Sequence, residues 1–257
     1  MSAFTLILSV VTTVVTTIFA GLVFWRWRAN HQRGRHSPYL LAWGFGLALY
    51  AVAAAAQSLL YFVWSPILLG LWYWSGVLMT AAWLGQGSIY LLVRRGNIAR
   101  NLAMVISLIT VMTLPWVLFT TQFYPEAWVP GMNLFASYKD LMATDSFKGF
   151  VSMLNAYGTI GLVGGAIYSA VLFRRKQILR NRMIGNWLIA AGGLLPALSG
   201  TFNKFGLTEL NYPALLLGVV LIFIGFLLAT QAQDEPVKAS RRWANAPQPA
   251  DTPATPR

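Results

Sequence analysis

The stretch AAWLGQGSIYLLVRRG, residues 81–96, decides the fold. It is apolar, turns polar at Gln86, becomes apolar again and stops at Arg94 and Arg95. Such a run is either a membrane span closed by charge or a helix buried in a globular domain, and composition chooses between them. The chain of 257 residues is 57% hydrophobic and only 10% charged, with a mean hydropathy of +0.58, whereas a globular domain carries about a quarter charged residues. The stretch is a span, and its arginines mark a headgroup layer.

Working outward, seven apolar segments are long enough to cross a hydrocarbon layer, which takes roughly 20 helical residues. They lie near 4–25, 39–62, 70–93, 102–122, 149–173, 183–202 and 212–231, and none contains Asp, Glu, Lys, Arg or His. Backbone in lipid must satisfy its own hydrogen bonds, and these runs are too long for membrane strands of about ten residues, so helices are the solution. The first segment has no basic residues before it and arginines after it, so it reads as a span rather than a cleaved signal peptide. The expected fold is an all-α, seven-span bundle over residues 1–231. The remainder, 232–257, rich in Pro, Ala and small polar residues, reads as a disordered cytoplasmic tail.

Charge sets the expected orientation. Arg26, Arg28, Arg33 and Arg35 follow the first segment, Arg94, Arg95 and Arg100 the third, and Arg174, Arg175, Lys176, Arg180 and Arg182 the fifth. The tail adds Lys238, Arg241, Arg242 and Arg257. The other face has Lys139, Lys148 and Lys204 beside Glu126, Asp140, Asp145 and Glu209. The positive-inside bias places the N-terminus outside and the C-terminus in the cytoplasm, and a bacterial inner membrane is the expected host. The net charge of +12 therefore orients helices and meets membrane lipids; no motif beside it asks for nucleic acid. Trp25, Trp27, Trp64, Trp72, Trp74, Trp116 and Trp128 fall near segment ends and are expected as interfacial anchors.

The inventory restricts chemistry. There is no cysteine, and the two histidines, His31 and His36, sit in the first basic loop, so two internal histidines cannot hold a membrane haem. The segment count and orientation are those of rhodopsins and seven-helix receptors, but the seventh segment has no lysine for a retinal Schiff base, so only topology is shared. No intramembrane carboxylate offers a proton relay, and no Ser or Thr has a histidine at membrane depth to act as base. The reading is noncatalytic, with no cofactor asked for; the uncharged interior permits a noncovalent lipid, pigment or quinone.

What remains is sparse polarity. Tyr50, Gln57 and Tyr61 share one helical face in the second segment, Trp83, Gln86 and Tyr90 another in the third, and Asn155 and Thr159 lie in the fifth. Bonding between helices is the plainer account of Gln57 and Gln86, since a carboxamide in a dry interior needs partners. The alternative is a cavity in which Tyr50, Gln57, Tyr61, Asn155 and Thr159 form an outer level and Trp83 and Gln86 a deeper one, holding a neutral, largely apolar ligand. On that reading the chain is a receptor-like sensor or an accessory subunit with a membrane-protein partner. An uncharged-solute transporter and a purely structural subunit are the alternatives, the first drawing on a weak three-plus-one-plus-three pattern in which the first and fifth segments both end in basic clusters.

Two further expectations bear on the cavity. NLFASYKDLM, residues 133–142, predicts a short amphipathic helix at the membrane surface, with Leu134, Tyr138, Leu141 and Met142 on one side; it either caps a cavity or, more plainly, connects two spans. Gly192, Gly193 and Pro196 predict a bend in the sixth helix, static or acting as a gate. Gly158, Gly161 and Gly165, and Gly44 with Ala48, predict close backbone approach.

Overall fold

Seven helices in the described residues are long and apolar enough to span a membrane: α1 (Ala3–Gln32), α2 (Pro38–Leu59), α3 (Pro66–Leu92), α4 (Ile98–Thr120), α5 (Asp145–Arg174), α6 (Arg180–Lys204) and α7 (Thr208–Thr230). The computed structural model describes residues 3–93, 96–175 and 180–231; the segment expected as a disordered tail falls outside them. All seven expected spans are present, and the ends differ for local reasons. α3 starts four residues early because Ser65 caps it, accepting from the Leu68 amide at 3.4 Å, and Pro66 occupies the first turn, where no amide partner is needed. α1 runs on through Arg26 and Arg28 to Gln32, since a helix need not end where the hydrocarbon does.

Six helices close a ring in the order α1, α2, α3, α5, α6, α7 and back to α1, while α4 stands outside it against α3. Two tryptophan–threonine bridges fasten α4: Trp74 Nε1 donates to Thr113 Oγ1 at 3.2 Å and Trp83 Nε1 to Thr110 Oγ1 at 3.0 Å. Trp72 and Trp74 are thus core residues, not the interfacial anchors that their position near a segment end suggested. Trp25, exposed, keeps an anchor's position.

Small residues set the tightest contacts. A Cβ on Gly158 of α5 would fall on the Ala81 carbonyl of α3, so these backbones touch. α6 and α7 meet reciprocally, a Cβ on Gly185 lying 2.5 Å from the Gly225 oxygen and one on Gly192 2.5 Å from the Gly218 oxygen. Without a hydrophobic force between helices in lipid, such close approach is the main source of attraction. Gly192 is therefore a packing residue; the interruption of α6 comes after Pro196, at Leu198, before a last turn over Ser199–Lys204.

Among the described residues, π-helical turns interrupt α3 at Tyr73–Met79 and α5 at Ile160–Gly164, and a third, Trp116–Thr120, ends α4. The connection between α4 and α5 holds a short helix, Leu134–Leu141, capped by Asn133, whose Oδ1 accepts from the Phe135 amide at 3.1 Å. Its Leu134 and Leu141 are buried with Met142. It packs on the bundle rather than on lipid: Phe135 and Tyr138 stand 5.6 and 5.7 Å from the Trp72 ring, and Phe135 meets Tyr212 of α7 at 5.2 Å. Asn133 Nδ2 donates to Thr208 Oγ1 at 3.1 Å, and the Tyr212 hydroxyl donates to Asn133 Oδ1 at 3.2 Å. The connector is a roof across the loop side of the ring.

Candidate functional site

Many hydroxyls of the spans bond back into their own helix, and a few, Ser88, Ser169 and Thr201 among them, have no such bond among the described residues. In α1 and α4, Thr12, Thr13, Thr16, Thr17, Ser107, Thr110 and Thr113 donate to the carbonyl four residues back, which hides their polarity inside their own helix. Ser152 and Thr159 of α5 and Ser199 of α6 make no such bond among the described residues, and all three line one space. A hydroxyl left open there is available to something else.

That space is a cavity of about 600 Å³ on the loop side of the ring, within the range of ligand sites. Its walls come from α2 (Tyr50), α3 (Trp72 to Leu84), α5 (Val151 to Leu162), α6 (Gly193 to Asn203) and α7 (Leu215 and Ile222), and the roof supplies Phe135 and Tyr138. None of its lining residues is charged. The π-helical turns of α3 and α5 both reach it, through Gly76 and Val77 and through Ile160 and Leu162. Such turns recur at functional sites because they free backbone groups and re-aim side chains. Asn155 answers one of these groups: its Nδ2 donates to the Val77 carbonyl at 2.8 Å and to Val151 at 2.9 Å, leaving its Oδ1 with no protein donor among the described residues. Asn203 is the converse, its Oδ1 accepting from Asn211 Nδ2 at 2.8 Å while its own Nδ2 has no acceptor among the described residues. Burial raises the Tyr138 hydroxyl above its ordinary pKa, with nearby Lys148 pulling the other way, so it remains a neutral donor.

The seven residues singled out from sequence divide. Tyr50, Asn155 and Thr159 line the cavity, although the Tyr50 hydroxyl is already committed to the Leu215 carbonyl at 2.9 Å. Gln57 lies beside it, on a side space of about 50 Å³, with both ends in use: Nε2 donates to Ser9 Oγ at 2.8 Å and Oε1 accepts from Trp72 Nε1 at 3.1 Å. It joins α1, α2 and α3. Gln86 likewise joins α3, α4 and α5, donating to the Ala99 carbonyl at 2.7 Å and accepting from the Tyr157 hydroxyl. Trp83 is spent on Thr110 and an edge contact with Phe45 at 4.7 Å. Tyr61 lies at the loop-side end of α2, where its carbonyl accepts from Gly131 at 3.0 Å. The deeper level of Trp83 and Gln86 is not part of the cavity, because both face α4 or α5 across a closed contact.

Tyr138, expected on the packed side of the connector helix, also lines the cavity, as do Ser152, Ser199 and Asn203, which the sequence does not single out. Ser152, Asn155 and Thr159 recur at three and four residues on α5, and Ser199 and Asn203 at four on α6. That spacing was the available signal. No known protein family matches the chain, and no curated protein matches it.

Proposed function

We propose that the chain is a noncatalytic binding protein of the membrane, taking a neutral, largely apolar ligand in the cavity and acting as a receptor-like sensor or an accessory subunit. The observation that carries this reading is the cavity itself, an uncharged, largely apolar space onto which Ser152, Thr159 and Ser199 bring hydroxyls with no protein partner among the described residues, while Thr80 on the same wall is spent on the Ser75 carbonyl at 2.7 Å. A neutral ligand follows from charge: an ion there would meet no counter-charge and lose its hydration. We further read the basic face as cytoplasmic, with the N-terminus outside, the host as a bacterial inner membrane, and the partners as lipids and, for a sensor, another membrane protein.

The test is a stability screen of the purified chain with neutral amphiphiles, since a ligand that binds only the folded form raises the melting temperature. Thr159→Val and Ser152→Ala remove no protein hydrogen bond, so each should leave the unliganded melting temperature in place and reduce the shift. No shift with any neutral amphiphile, or shifts that survive both substitutions, would refute the assignment.

A second reading, an uncharged-solute transporter, draws on the ring order. Contacts between α3 and α5 and between α7 and α1 are what two three-helix units related by a two-fold would make, with α4 as connector. Ligand-dependent flux in sealed vesicles would favour it over binding alone.

A further inference from the structure

α6 packs along α5 from the π-helical turn at Ile160 onward and barely touches the first half of α5, so the two helices part toward the loop side. The lining residues Ser152, Ala156 and Ile160 on α5 and Ala197 and Gly200 on α6 are exposed in that parting, Ile160 to 72%. With the roof helix across the loop-side end, the cavity opens sideways, at the depth of the hydrocarbon. Apolar Leu194 and Leu198 of α6 are exposed on the same stretch of that helix.

We infer that the ligand enters from the lipid through this gap and is a single-chain amphiphile with an uncharged, hydroxyl- or carbonyl-bearing head. This deepens the binding function proposed above and rests on it. The head needs both donors and acceptors, because the open groups are of both kinds: Asn155 Oδ1 accepts, Asn203 Nδ2 and Tyr138 donate, and Ser152, Thr159 and Ser199 do either. The chain needs a hydrocarbon exit, and the gap provides one lined by Ala156, Ile160, Ala197 and Gly200, with Ser152 beside them. A charged phospholipid head is disfavoured by the uncharged wall. A water-soluble polyol has the right head and no use for the gap. An apolar chain left in place keeps contact with lipid while the head finds the hydrogen bonds that lipid cannot offer.

The absence of cysteine makes the test direct. Val77→Cys puts a single thiol on the cavity wall at a residue whose side chain takes no part in holding the head. The full chain is reconstituted in phosphatidylcholine vesicles and alkylated with N-ethylmaleimide, with monoolein in the bilayer or glycerol in the water as probes. Monoolein should slow alkylation about tenfold, as expected for ~90% occupancy, while glycerol has no effect. Ala156→Phe and Gly200→Phe narrow the gap; a Cβ on Gly200 meets nothing within 4 Å, so that change has room. Either should remove most of the monoolein protection at an unchanged melting temperature, and Ala197→Phe serves if one of them fails to fold. Protection by glycerol equal to that by monoolein, or protection indifferent to the narrowing substitutions, overturns lateral entry and leaves the binding function standing. A reactive thiol that neither probe protects overturns the amphiphile class, and the stability screen then judges the binding function separately.

Discussion

Replacing Gln86 by leucine should destabilise the bundle by about 2 kcal/mol while leaving the cavity intact. The side chain is fully buried, and both its ends are bonded, to Ala99 of α4 and Tyr157 of α5. Interhelical hydrogen bonds in membrane proteins are worth about 0.6 kcal/mol each on average, so the two together supply about 1 kcal/mol. The half-buried Tyr157 hydroxyl, left without its acceptor, adds about 1 kcal/mol more. The Ala99 carbonyl adds little, because it lies at the start of α4 and keeps its own helical position. Unfolding in bicelles with increasing denaturing detergent measures the difference. Tyr157→Phe in the same series should be coupled to Gln86→Leu by about 0.5–1.5 kcal/mol, since each removes the same bond. Additive effects, or a Gln86→Leu protein as stable as the parent, would refute Gln86 as the tie among three helices. Monoolein protection of the Val77→Cys thiol should survive Gln86→Leu unchanged, and its loss would mean that the carboxamide reaches the cavity after all.

Gly158→Ala should cost about 1–3 kcal/mol or more by forcing α3 and α5 apart, whereas Gly164→Ala, where a Cβ meets nothing within 4 Å, should be neutral in the same unfolding assay. Gln57→Leu strands Trp72 Nε1 but not Ser9, which also bonds the Thr5 carbonyl at 3.1 Å, so a loss of about 1–2 kcal/mol is expected. Single cysteines replacing Arg33 and Lys204 should report opposite sides to an impermeant thiol reagent in oriented vesicles, with Lys204→Cys labelled from outside; the reverse pattern would invert the proposed orientation. Because burial raises the Tyr138 pKa, the neutral donor persists, and monoolein protection, corrected for the reagent's own pH dependence, should be flat from about pH 6 to 9; a fall in that range would point to a different group.

The spans were legible because lipid imposes a length and forbids charge, and α1 to α7 show both plainly. Which face of each span turns inward was not, and Gln86 shows why. Its spacing with Trp83 and Tyr90 puts the three on one side of α3, but in lipid the outside of a bundle is as apolar as its inside, so periodicity names a face without naming its neighbour. The neighbours proved to be α4 and α5. Packing was half legible: Gly158 was read as a point of close approach, while Gly192 was read as a bend. The seven-residue spacing of Gly185 and Gly192, repeated by Gly218 and Gly225, held the better answer. The cavity depends on the π-helical turns and on the parting of α5 and α6, and no local pattern carries either. Residues such as Ser152 and Thr159 resemble other intramembrane hydroxyls, such as Ser88 and Ser169, until the space they line is seen.

The paired glycines of α6 and α7 restrict how the bundle can move. At both contacts a Cβ on either glycine would lie 2.5–2.8 Å from the carbonyl oxygen opposite, backbone interlocked so closely that neither helix can roll or slide without the other. Any widening of the passage beside α5 must therefore swing α6 and α7 together as one lever, and Tyr212 with Asn133 would carry the roof along with it. Entry from the lipid and a displacement at the outer surface would then be one mechanical event.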